Sequence, residues 1–154
     1  MKPSLPIETD RNAWQIAIWS LPDDLLSQAQ KLQFMLMLEG EFNQFDPFRV
    51  IGDLLANREL WQGAVMDRAF RASKERPDDF CQLWTNLIKL RDVSHTWNVD
   101  TLFILTSAGT EERWTALVDD WVADVTYWVE GQDACQLLGS GRPGKNKILA
   151  LWWD

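Results

Sequence analysis

Ten tryptophans in a chain of 154 residues restrict the fold more than any other feature, because each indole brings a large apolar area that needs a buried or partnered setting. The last two sit together in Leu151-Trp152-Trp153-Asp154. A core wide enough for such rings is within reach, since a domain of this size buries roughly 68–70% of the surface its unfolded chain exposes. Residues 1–154 are therefore read as one domain. With 46% apolar and 25% charged residues, the composition is that of an ordinary globular protein.

The formal charge of −8 opposes attraction to phosphate backbones and anionic lipid, both of which draw on clustered Lys and Arg. The basic run Arg68, Arg71, Lys74 and Arg76 reads as a solvated helix end. No stretch approaches the roughly 18 uninterrupted apolar residues of a membrane span. The start Met1-Lys2-Pro3-Ser4-Leu5-Pro6 has no apolar run behind its cation. The expectation is a cytoplasmic protein that binds neither membrane nor nucleic acid. Cys81 and Cys135 lack CxxC spacing and read as free thiols. His95 is the single histidine, so a Cys/His zinc site has too few ligands and a Ser-His-Asp triad has one candidate base. No cofactor is expected.

The first part of the chain reads as helical, over about residues 10–95. In Ala13–Trp19, alternating Trp14, Ile16 and Ile18 suit a strand, but Thr9 or Asp10 as an N-cap favours a helix. Pro22, Asp23 and Asp24 open a second helix through Leu25, Leu26, Ala29 and Leu32, after which Phe34–Leu38 suits either its continuation or a buried strand, the helix being preferred. Asp46-Pro47 caps a third, with Phe48, Ile51, Leu54 and Leu55 in one stripe. After a break near Asn57, Trp61, Ala64, Val65, Arg68 and Ala69 repeat the helical spacing, and a further helix is expected over 77–91 through Phe80, Leu83, Trp84, Leu87 and Ile88.

From about residue 98 the pattern changes. Thr101–Thr106 is a short run of strand formers ended by Ser107-Ala108-Gly109-Thr110. Trp114, Leu117, Val118, Trp121 and Val122 then make an amphipathic helix behind Glu111 and Glu112. Asp124–Val129 reads as a strand, Ala134–Leu138 as a short helix closed by Gly139, and Lys147–Trp153 as a last strand. The predicted fold class is α/β or α+β: a helical N-terminal half packed on a small, mainly parallel C-terminal sheet of β-α-β-α-β order over 98–154. A second arrangement continues the helix through Val129 and pairs 134–139 with 147–152 as a hairpin.

The segment Gly139-Ser140-Gly141-Arg142-Pro143-Gly144-Lys145-Asn146 meets the GxxxxGK spacing of a phosphate-binding loop. A working loop of that kind leads into a helix and ends in a hydroxyl residue that holds magnesium. Here Asn146 stands in that place and a strand follows, so the stretch reads as a turn with two cations, Arg142 and Lys145, that leave a small-anion site as the remaining option. The carboxylate pairs Asp23-Asp24, Asp78-Asp79, Glu111-Glu112 and Asp119-Asp120 read as solvated charge, because neighbours on a helix point different ways.

In a parallel sheet ligands bind beyond the carboxyl ends of the strands. Those ends nominate Ser107, Thr110, Glu130, Asp133 and Asp154 as a candidate ligand cluster. Two functions follow. The first, and preferred, is a non-enzymatic interaction or accessory protein that binds a protein partner or itself through Trp97, Trp152 and Trp153, tryptophan being enriched at binding hot spots. The second is a small-molecule binder or enzyme using the strand-end cluster, marked by a pocket there and carboxylates with raised pKa.

Overall fold

The computed structural model describes residues 5–6, 9–40, 43–67, 99–138 and 145–153. The helix expected over 77–91, together with Cys81, His95, Trp97, the basic run from Arg68 and Asp154, lies outside the described residues, as do residues 139–144.

Three helices come first, each started by a side chain that satisfies its orphan amides. Asp10 accepts from Asn12 N ahead of α1 (Arg11–Trp19), and Ser27 accepts from Gln30 N ahead of α2 (Gln28–Met37). Asp46 accepts from Phe48 N and Arg49 N ahead of α3 (Pro47–Ala56), with Pro47 in the first turn. The helix reading of 13–19 therefore holds. The start of α2 is corrected: Pro22, Asp23 and Asp24 form a turn before it, and Asp23 instead reaches Lys31.

A 3-10 turn (Arg58–Leu60) leads into β1 (Trp61–Asp67), where the sequence had suggested a helix. Trp61, Ala64 and Val65 fit helical spacing because a bulge between Trp61 and Gly63 breaks the strand's alternation. Beyond it, Ala64 and Met66 are buried while Val65 is exposed, the period of a strand. β2 (Thr101–Thr106), α4 (Glu111–Val118), β3 (Val125–Val129), α5 (Gly131–Leu137) and β4 (Ile148–Trp152) complete the order.

The four strands lie in the order β1-β2-β4-β3, and every neighbouring pair is antiparallel. This overturns the mainly parallel sheet and makes the fold α+β. β2 and β3 do run the same way, joined through α4, but β4 lies between them. The 18 residues that could link β3 to β4 suffice for a crossover or a return at the same end, so connection length leaves the choice open. The apolar content of β4 fixes its place in the sheet, not its direction. Ile148, Leu149, Ala150 and Leu151 are all buried, so this strand needs neighbours on both edges and cover on both faces.

The inner face carries Ala64, Met66, Leu102, Ile104, Leu149 and Leu151, which join Trp14, Ile18, Phe34, Ile51, Leu54, Trp114 and Trp121 in one core. Trp114 and Trp121 meet edge to face at 6.2 Å. The expected amphipathic helix stops early. After Val118 a 3-10 turn (Asp119–Trp121) ends at Val122, whose φ of 53° is left-handed. Val122 is 53% exposed, so it leaves the stripe and turns the chain into β3.

Candidate functional site

The strand-end cluster assumed parallel strands, but β4 is antiparallel to both β2 and β3, so its carboxyl end lies opposite theirs. Ser107 and Thr110 follow β2, and Glu130 and Asp133 follow β3, so these four share one end of the sheet. Trp153 lies at the other end, where its backbone N–H donates to Asp100 O at 3.0 Å.

At the shared end the hydroxyls serve the backbone. Ser107 Oγ donates to Glu59 O at 3.1 Å and Thr110 Oγ1 to Ser107 O at 2.7 Å. These bonds close a turn that needs Gly109 at φ +77°, a conformation L side chains rarely adopt. The residue that organises the end is Lys147, just before β4. Its Nζ lies 3.1 Å from Glu111 Oε1 and 2.9 Å from Glu130 Oε1. Nearby, Arg113 pairs with Glu59 at 2.7 Å. Asp133 is exposed in the first turn of α5.

The electrostatics of the cluster point away from proton transfer. Hydrogen bonds donated to Glu130 and then to Glu111 hold the Lys147 ammonium above its ordinary pKa of 10.5. The backbone N–H of Glu111, followed by Lys147, holds the Glu111 carboxyl below its ordinary 4.5. Both groups stay charged at neutral pH, the reverse of a poised base or a nucleophilic amine. The Glu111 contribution to stability is thus complete above pH 4.5 and is lost as pH falls through its lowered value. That of Lys147 is complete below pH 10.5 and is lost as pH rises through its raised value. In Lys147→Met, an NMR titration of Glu111 is expected to move part of the way back toward the ordinary carboxylate range, since the backbone N–H remains; an unchanged midpoint would show that the helix end alone sets it.

A concave surface exists elsewhere, on the outer face of the sheet. A groove of ≈ 350 Å³ runs between β1, β2 and the end of α5, lined by Val65, Phe103, Leu105, Leu137, Leu138 and Ile148, with Gln30 and Asp67 among its polar members. Trp152 shares this outer face with Phe103 and Ala150, by strand alternation, and is half-buried. Trp153 points inward and is fully buried, its ring 4.9 Å from Phe45 and its Nε1 donating to Trp121 O at 3.1 Å. Of the three aromatics nominated for partner binding, Trp152 is thus accessible and Trp153 is a core residue.

Gln30 was not singled out in the sequence, yet it closes one edge of the sheet. Its amide donates to Ala64 O at 2.6 Å and accepts from Ala64 N at 2.9 Å, as a neighbouring strand would. Lys147 was also missed. Nothing local marks either residue, because the partners lie 34 positions away for Gln30 and across two elements for Lys147.

Among the described residues no three His, Cys, Asp or Glu side chains converge as metal ligands, and no helix is long and apolar enough to cross a membrane. Comparison with protein-family models, curated proteins and solved structures finds no match for this chain.

Proposed function

We propose that this chain is a non-enzymatic protein-interaction module. The observation that carries this reading is the outer face of the sheet. Val65 is 39% and Leu138 43% exposed beside the groove, and half-buried Trp152 lies on the same face of the sheet. A concave apolar surface with exposed side chains at its rim is where folded proteins commonly bind a partner. The groove has little reactive chemistry. Among its described lining residues Asp67 is the one acid, and the Gln30 amide is spent on Ala64.

The test places a photocrosslinking side chain at position 65, with exposed Ala29 as a control position, in the cells that make the protein. A crosslinked protein, either another chain or a second copy, is expected from position 65 and not from 29, and Val65→Asp is expected to abolish the complex while the fold persists. A monomer with no crosslink that retains a bound small molecule in the groove would overturn the reading.

A further inference from the structure

Building on that interaction reading, we propose that the outer edge of β3 accepts an extended, basic-flanked segment of another protein as a fifth strand of the sheet.

The direction of each backbone group follows from the ladder. Thr106 N donates to Lys147 O and Trp153 N donates to Asp100 O, so the odd-numbered residues of β4 bond to β2. Antiparallel pairs alternate between bonded and non-bonded, which leaves Ile148, Ala150 and Trp152 to bond β3. Their partners are Val129, Tyr127 and Val125. The N–H and C=O groups of Thr126 and Trp128 therefore point away from the sheet. The same counting leaves the groups of Ala64 pointing outward from β1, where both meet the Gln30 amide.

The two edges are thus treated differently. β1 carries a side-chain cap, whereas among the described residues Thr126 and Trp128 have no backbone partner on their outer side. Natural edge strands are blunted with lysine, proline or a covering element. Val125-Thr126-Tyr127-Trp128-Val129 contains neither residue type, and its β-branched and aromatic members suit strand pairing.

Charge selects the occupant. Acids bound the strand at Glu130 and at Asp124, which accepts from Asn43 Nδ2 at 3.3 Å; the surplus of negative charge lies at the Glu130 end, where Glu111 and Glu130 share the ammonium of Lys147. A second copy is disfavoured. The two-fold register that satisfies all four outward groups sets Thr126 against Trp128 of the copy, and so Asp124 against its Glu130, like charges directly opposite. A segment with Lys or Arg at those places gains attraction where a copy meets repulsion. Main-chain bonds supply the affinity of such strand addition and flanking side chains the specificity.

The probe is a synthetic peptide with alternating Val and Thr between paired lysines, compared with the same peptide flanked by glutamates. Amide hydrogen exchange in the full chain is the readout. The lysine peptide is expected to slow exchange at Thr126 and Trp128, and the glutamate peptide to bind at least about tenfold more weakly. N-methylation of alternate peptide amides is expected to abolish the protection in one phase and preserve it in the other, which needs no change to the protein. Thr126→Pro, which removes an outward N–H that an edge strand can spare, is expected to abolish binding. Equal protection by both peptides, protection away from β3, or slow exchange at these amides caused by self-association would each overturn the proposal. A crosslink from position 65 with no response at β3 would leave the interaction reading standing and the edge proposal refuted. Loss of the crosslink would refute the reading itself.

Discussion

Trp153→Ala is expected to lower the free energy of unfolding by about 3–5 kcal/mol, a large share of the roughly 5–15 kcal/mol typical of a domain. Trp153 is 0% exposed, stacks edge to face on Phe45, and donates its indole N–H to Trp121 O. The substitution leaves a cavity and an orphaned carbonyl together. It also loosens a chain of contacts, because Trp121 Nε1 donates in turn to Asp53 Oδ2 at 2.8 Å on α3. Urea denaturation measures the effect as a lower midpoint at unchanged slope. Trp153→Phe keeps most of the ring area but loses the hydrogen bond, and should fall between. A loss for Trp153→Ala no larger than that for half-buried Trp152→Ala would refute the placement of Trp153 in the core.

The second large effect is expected at Lys31, which is 4% exposed on α2. Its ammonium donates to Trp19 O at 3.4 Å, to Leu21 O, and to Asp23 Oδ1 at 2.8 Å. It thereby ties the end of α1 and the turn that follows to α2. Lys31→Ala leaves these carbonyls without their charged donor and is expected to cost about 2–3 kcal/mol. Lys31→Met, which restores the apolar stem, should recover only the packing part. The Asp23 ion pair adds little to this, since that carboxylate is 64% exposed and such pairs are weak. It leaves a pH signature nonetheless. The hydrogen bond and charge of Lys31 hold the Asp23 pKa below 3.8, so its contribution is complete above that pH and fades as pH falls through the lowered value. Lys31→Met should lack this acid-side loss; an unaltered acid limb would place it in other carboxylates.

The elements legible in the sequence are those with a local physical cause. Asp10 and Asp46 announce α1 and α3 because a cap acts on amides two or three residues away. Thr101–Thr106 reads as a strand from its β-branched and apolar run. Trp114 and Trp121 read as core from spacing, and both are buried. Readings failed where the cause was distant. Gly63 sits in a bulge whose shape depends on β2, so β1 looked helical, and Ser27 displaced the Asp23-Asp24 start because Asp23 is engaged by Lys31.

The candidate cluster divides in the same way. Ser107, Thr110, Glu130 and Asp133 share a sheet end because each follows one of two strands that point alike. The charge at that end depends on Lys147, which reaches Glu130 and Glu111 only because β4 enters between those strands from that end. By itself, then, the sequence determined where most helices and strands form and that a tryptophan core holds them, since caps, periodicity and apolar area act over a few residues or through composition. Strand order and direction, the Lys147 cluster, the Gln30 cap and the place of β3 at the edge of the described sheet were decided only by the tertiary structure. Each depends on which backbone groups of one strand meet those of another, and the linking segments are long enough to permit either direction.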